Sequence, residues 1–596
     1  MSEVRKTEGK KRKKKRSSAQ MAKKFARRRT DTSGQNLDQD TYHYLLRIVD
    51  VIRKDFPTSD ERTLFVKNVY KEMAGREVEY ACSQIGSRVM DSLLKYASLE
   101  DIQRLMKALE SSLRKLLNDK FASHVLQKMI EVCADRGNRI LDKDKAAKNK
   151  MKSKEDAVVE PDEVKVYNNI VLKLSKYILN NVEEFVSDTY ASHVVCTAIE
   201  CLAGLIDPDS ENSKKSAATC LANRRPVIRE YTDLLVQTCN RLHKWPQFYE
   251  LTQNKQCFLV HCILYSLKDV NSKLINAIIS NIIKTCSEIK PSFQNEDLAN
   301  TTSEEISIRL LETCLITADL KSYEKLYKTF FAGKLKMMSL AQTTNFSVQR
   351  LLDRCSTKEN LEQIFEEISE HLPEIFKLGF TGILVSIGNA CARLQTKQGA
   401  FVTAIIKLLE CDKTEDATQL IRCMVTLKTS TQLKESNDPP LTLHGSLITQ
   451  AILNFNKPIK LVNSILAMNN EQLLRLFDNA MGSHILDAFM DSKYIGEKSR
   501  EKLHKVLRGV WEELAKSKYG SRCLDKMWLS ANMNQKQTIM EELVAAGESL
   551  RSTQSSKIIF NKLDVSLFAR NKKDWMDAQR KGDKTQALFA DIIGKK

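Results

Sequence analysis

The chain has 596 residues, 42% hydrophobic and 28% charged, with only 19 glycines and 10 prolines. That balance excludes a chain disordered throughout and favours helix. The net charge is +19, no apolar run approaches the roughly 18 residues that cross a bilayer, and the lysine-rich start has no signal-peptide core, so an intracellular protein without membrane contact is expected.

Charge is concentrated at the start. Residues 1–30 hold 14 Lys and Arg against 2 Glu, a net of +12. The clusters are KKRKKKR (Lys10, Lys11, Arg12, Lys13, Lys14, Lys15, Arg16) and KKFARRR, which ends in Arg27, Arg28 and Arg29. Like charges this dense repel one another and bury nothing. Residues 1–40 are therefore expected to form a disordered tail carrying a nuclear or nucleolar targeting signal. A nucleic-acid arm and a merely solubilising tail are the other readings.

From about residue 41 the pattern is helical. TYHYLLRIVDVI and IQRLMKALESSLRKLL place apolar residues three and four apart, and strand alternation is nowhere sustained. Residues 140–163 are polar and lysine-rich and predict a flexible insertion; shorter loops are expected near 206–225 and 428–443. Residues 591–596 form a basic end. The 15 cysteines stand singly in phrases such as LLETCLI and LLDRCS, without a CxxC pair, and the nine histidines show no HxxxH or HExxH spacing. Reduced thiols are expected, with no metal site and no cofactor. No phosphate-cradling glycine loop, GxSxG or comparable constellation marks an enzyme.

One phrase recurs. With Ser123-His-Val-Leu-Gln as template, matches are Ser87-Arg-Val-Met-Asp, Ser192-His-Val-Val-Cys, Asn345-Phe-Ser-Val-Gln, Ser446-Leu-Ile-Thr-Gln, Ser483-His-Ile-Leu-Asp and Ser521-Arg-Cys-Leu-Asp. Weaker copies begin at Cys257, Ile308, Thr381 and Ser556, and uninterrupted neighbours start 35 to 38 residues apart. Helical units of this size cannot bury an apolar face alone; stacked, they share a continuous core. Residues 41–590 are thus expected to form one repeat superstructure. On a helix, places one and five lie on one face about 6 Å apart along the axis, and place two sits about 100° round from the first. Each unit would present two hydrogen-bonding side chains beside one flat or cationic side chain. That set suits the edge and the face of a base. A lone serine here would be only a helix cap, and a helical repeat can equally bind protein; regular recurrence of the trio favours base contact.

These units resemble Pumilio (PUF) repeats, in which two or three side chains read one base. The resemblance implies an all-α fold: a right-handed, curved (C- or U-shaped) helical-repeat solenoid of about eleven degenerate Pumilio-like units. It implies base-edge contacts from Ser87, Asp91, Ser123, Gln127, Ser192, Asn345, Gln349, Ser446, Gln450, Ser483, Asp487, Ser521 and Asp525. Stacking falls to Arg88, His124, His193, Arg309, Phe346, His484 and Arg522. By the family's code, Ser with Gln favours adenine and Asn with Gln favours uracil. Departures are plain: Cys196 replaces the glutamine, three units carry aspartate, and Ile308, Thr381, Leu447 and Phe560 do not fit. Several units are therefore expected to hold shape or touch phosphate.

IRLLETC, NFSVQRLLD, HGSLITQAIL and the closing SSKIIFNKLDVSLFARNKKDW are similar to the repeats of the nucleolar protein nine family. That resemblance implies a monomeric, non-enzymatic nucleolar RNA-binding protein acting in small-subunit ribosome biogenesis. Its RNA would be precursor rRNA around the 3′ end of 18S and the adjoining spacer, where it restrains premature cleavage; its protein partners would be those of pre-ribosomal particles. Two readings stand beside it: a nucleolar Pumilio-like protein serving the large subunit with little sequence preference, and a nuclear protein-binding scaffold.

Overall fold

The computed structural model describes residues 37–580, except 55, 142–160, 207–220, 222, 254–255, 289–301, 413–415, 417 and 437–438. The predicted targeting residues at 10–16 and 27–29, the basic end, and most of the 140–163 insertion lie outside these described residues. Among the described residues the regular elements are helices and no strand occurs.

Helix starts follow local chemistry. Ser98 accepts from the Asp101 N–H, and Thr429, Asn469 and Asn532 form reciprocal capping boxes with the residue three places on. Each box satisfies N–H groups that a first turn leaves without partners.

Eleven helices carry the recurring phrase and its weaker copies. They are α1 (Gln84–Leu94), α2 (Ala122–Asn138), α3 (Ala191–Leu202), α4 (Cys257–Leu267), α5 (Thr302–Thr317), α6 (Asn345–Arg354), α7 (Gly382–Leu394), α8 (Leu443–Leu453), α9 (Ser483–Asp491), α10 (Gly520–Ser530) and α11 (Gln554–Lys562). The chain divides into two compact units, residues 1–322 and 323–596. In the first, α1 packs on α2, α2 on α3, α3 on α4 and α4 on α5. In the second, each of α6 to α10 packs on its successor. This is a helical repeat array, as the spacing predicts. The third and fourth places build its core: Val89 with Met90, Val125 with Leu126, Val194 with Val195 and Ile485 with Leu486 are all buried. A second layer runs alongside. Leu99–Glu110 packs on Pro161–Asn180 and that on Arg229–His243; Ile459–Leu466 packs on Glu497–Val506.

Arginines stitch neighbouring helices at their carbonyl ends, where four carbonyls lack helical partners and the dipole is negative. Arg136 donates to the Lys95 and Ala97 carbonyls beyond α1. Arg224 donates to Ala203 beyond α3 and to Tyr265 and Ser266 in α4. Arg393 donates to Leu352 and Cys355 at the end of α6, and Arg500 to Ser492 after α9.

One predicted loop needs correction. The 428–443 stretch contains a helix, Ser430–Glu435, because Thr429 and Gln432 cap it and Leu433 is buried. The last residues of the 206–225 stretch are anchored: besides Arg224, Arg225 pairs with Asp135 of α2 at 2.6 Å, both side chains nearly closed to solvent.

Candidate nucleic-acid interface

In α1, α2, α3, α6 and α9 the five places share one order of exposure: buried, exposed, buried, buried, half-buried. In α10 Ser521 is half-buried and the rest of the order holds. The second place is the projecting one. Arg88, His124, His193, Arg309, Phe346, His484 and Arg522 are all exposed, and Phe346 keeps 56% of its surface. An exposed ring that large has no packing role on its own helix. In the first unit Arg88, His124, His193 and Arg309 stand at matching places, with Phe258 of α4 between the last two. Phe346, His484 and Arg522 do so in the second unit.

The first-place serines are less available than their spacing suggests. Ser123 is 2% exposed and Ser446 1%. Ser87, Ser192, Ser483 and Ser521 donate to the carbonyl three residues back, and Ser446 donates to Met481 O at 2.7 Å, ahead of α9. The hydroxyls of Ser87, Ser192, Ser483 and Ser521 thereby serve the first turn of their own helices.

First and fifth places do meet. Gln349 Nε2 donates to Asn345 Oδ1 at 3.1 Å and Gln450 Nε2 to Ser446 Oγ at 2.9 Å. Asn345 also donates to the Ala341 and Gln342 carbonyls. Gln127 spans three side chains: its Oε1 lies 3.1 Å from His124 Nδ1, and its Nε2 donates to Thr197 Oγ1 of α3 at 3.0 Å. α4 and α5 repeat this link. His261 Nδ1, in fifth place, lies 2.6 Å from Thr313 Oγ1, in sixth place on α5. Burial, with Arg309 nearby, pushes the His261 imidazole down to about 4, so it is neutral at neutral pH.

The aspartates sit beside basic side chains. Asp525 pairs with Lys562 of α11 at 2.9 Å, and Asp487 approaches His484 Nδ1 at 3.4 Å. Burial raises the Asp91 carboxyl above its usual range, and Lys128 of α2 opposes that shift.

The misfits have structural employment. Thr381 directly precedes α7, and its hydroxyl lies 2.7 Å from His444 Nδ1. Gly382 takes the second place of α7, where a Cβ would stand 2.7 Å from Gln349 Oε1. Phe560 lies under the Arg551 guanidinium at 4.8 Å, and Leu447 is half-buried.

Sequence reading missed Phe258 and Lys557. Phe258 stands in second place on α4 and stacks on His193; Lys557 is exposed in the same place on α11. The signal was present in the weak copies that begin at Cys257 and Ser556, but without serine and glutamine together their second places went unassigned.

A family model described as NOP9-like PUF repeat domain matches residues 75–237 and 256–557. Nucleolar protein 9 of Mus musculus is 24% identical over 591 residues, covering 94% of this chain and 91% of the relative. Pumilio homolog 23 of Arabidopsis thaliana is 21% identical over 610 residues, covering 94% of this chain and 75% of the relative. The solved structure of APUM23 with GGAAUUGACGG matches at TM-score 0.71 and 20% identity, covering 91% of this chain and 99% of that one. At that identity the likeness is one of fold.

Proposed function

The chain belongs to the NOP9-like PUF repeat family, as a nucleolar RNA-binding repeat protein, and from that premise we propose that it binds small-subunit precursor rRNA near the 3′ end of 18S and the adjoining spacer, protecting that region or timing its processing. The observation that carries the reading is the recurring order of exposure, which sets one flat or cationic side chain beside a half-buried polar one on α1, α2, α6, α9 and α10. Bases stack on the second places, a contact worth roughly 1–3 kcal/mol per base. Gln127, Gln349 and Gln450 offer carboxamides to base edges, with Ser87, Ser123, Ser192, Asn345, Ser446, Ser483 and Ser521 shaping the floor beneath. Asp91, Asp487 and Asp525 set the place of neighbouring basic side chains. Basic residues draw in phosphate irrespective of sequence. Its protein partners are those of the pre-ribosomal particle, and it acts as a monomer without catalysis.

A large-subunit reading with little sequence preference has one observation in its favour: several fifth places are held by neighbouring helices, as in Gln127 with Thr197 and His261 with Thr313. The test is a binding titration at physiological salt with the full chain and with a chain lacking residues 1–30. The RNAs are a fragment spanning the 18S 3′ end with its spacer, a large-subunit precursor fragment and an unrelated structured RNA of equal length. Preference for the first, retained without the tail, is the expected result. Equal binding of all three would put the non-specific reading ahead.

A further inference from the structure

In the second unit, helices Glu497–Val506, Trp511–Lys516 and Met533–Ala545 border a cleft of about 230 Å³. No residue of α6 to α11 lines it, so it is separate from the second-place row. Its floor is unusual. His504 is 5% exposed and Trp511 1%, with ring centroids 5.9 Å apart. Neither ring nitrogen of His504, nor the indole Nε1–H of Trp511, has a hydrogen-bond partner among the described residues. Buried polar atoms are almost always satisfied, and three orphans in one cleft call for an explanation. Burial pushes the His504 imidazole down to about 4. It is therefore neutral, with one nitrogen donating and the other accepting.

The rim is rich in donors. Lys505 and Arg508 are exposed and form no ion pair among the described residues, and Gln535 adds an amide. Glu501 is the one carboxylate in the lining. Arg508 also lies in the field of Glu542, whose carboxylate accepts the Gly509 N–H at 2.9 Å. The floor therefore needs acceptors for two N–H groups and a donor for the second imidazole nitrogen, and the rim favours negative charge.

We propose that this cleft docks an acidic side chain, Asp or Glu, of a protein partner. These nitrogens are closed to solvent in the unbound chain, so the two rings turn toward the cleft as the carboxylate enters; it then accepts from Trp511 Nε1–H and the His504 N–H and is held at the rim by Lys505 and Arg508. A backbone N–H of the same segment donates to the other imidazole nitrogen. One peptide thus supplies both kinds of group, whereas a phosphodiester has no N–H to give. Glu501 also opposes the approach of a polyanion, and a cleft of this volume admits one side chain more readily than a sugar–phosphate run.

The test follows the indole N–H resonances of the full chain, which has four tryptophans, by NMR. Trp511→Phe identifies its own resonance. If that variant does not fold, Trp245→Phe, Trp528→Phe and Trp575→Phe account for the other three. The probes are an Asp/Glu-rich peptide, its Asn/Gln counterpart, inorganic phosphate and an RNA oligonucleotide. The acidic peptide is expected to move the Trp511 resonance and its neutral counterpart to leave it in place. Lys505→Glu with Arg508→Glu, both on the exposed rim, should weaken peptide binding about tenfold or more. RNA affinity of that variant should fall far less than peptide affinity, by no more than the same charge reversal placed elsewhere on the exposed surface costs, so failure here and failure of the RNA reading are separately visible. An unmoved Trp511 resonance overturns the proposal. So does an equal shift with phosphate or RNA, which would make the cleft a phosphate site.

Discussion

The imidazole of His193 and the ring of Phe258 face each other with centroids 5.6 Å apart and planes 15° from parallel. They hold the second places of α3 and α4, so this step of the row is already stacked. A base between two rings needs about 7 Å, two optimal carbon–carbon separations. A base must therefore lie on the outer face of the pair or spread it. Phe258→Ala is expected to weaken RNA binding by about 1–3 kcal/mol with little change in melting. A titration showing unchanged affinity would make the pair purely structural.

Changing Arg88, His124, His193, Phe346, His484 and Arg522 together to alanine tests the whole row. All six are exposed, so circular dichroism and melting should barely move. RNA affinity should fall by several kcal/mol, short of additivity. Full affinity in a folded variant would remove the second places from the interface.

Asp135 holds Arg225 at 2.6 Å and Arg139 at 2.8 Å, and is itself 5% exposed. Removing it takes away a buried carboxylate that faces both guanidinium groups. Asp135→Ala is expected to destabilise the first unit by about 3–5 kcal/mol. Denaturant unfolding measures this; a loss below about 1 kcal/mol would show that the pair is not the anchor of the chain after residue 222.

Glu200 is half-buried near Glu131, and desolvation first, then that neighbouring charge, raises its carboxyl from 4.5 to about 7. The folded state favours the protonated form. The resulting stabilisation is complete below about 4.5 and is lost as pH rises through about 7. Glu200→Gln should therefore exceed the parent in stability by about 2 kcal/mol above that range, and match it in acid. Parallel melting curves across pH would refute the assignment.

His261 and His504 have the opposite sign. Burial lowers both imidazoles from 6.5 to about 4. The folded state keeps them neutral, so their contribution is present above about 6.5 and disappears as pH falls through about 4. Stability should decline on acidification across that interval, and His261→Gln should flatten part of the decline.

The repeat array was legible because its signal is periodic: burial of the third and fourth places forces the same phrase to return wherever a helix packs on its neighbour. Ten of the eleven copy starts lie inside packed helices, and Thr381 lies one residue ahead of α7. The exposed second places were legible for the same geometric reason. What a single helix cannot reveal is the neighbour that takes up a side chain. Ser446 reaches Met481, Gln127 reaches Thr197 and Asp525 reaches Lys562, and none of these pairs shares a helix. The Ser430–Glu435 helix was hidden by its length, six residues, too short to show a period.

The arginines at the carbonyl ends alter what a polyanion meets. Arg136, Arg224, Arg393 and Arg500 belong to the formal +19, yet each guanidinium donates to main-chain carbonyls. Few counterions would leave them when RNA arrives. The slope of log affinity against log salt counts phosphates neutralised by accessible cations. That slope should therefore be shallower than composition implies, and replacing any of these four should loosen the array more than it flattens the salt dependence.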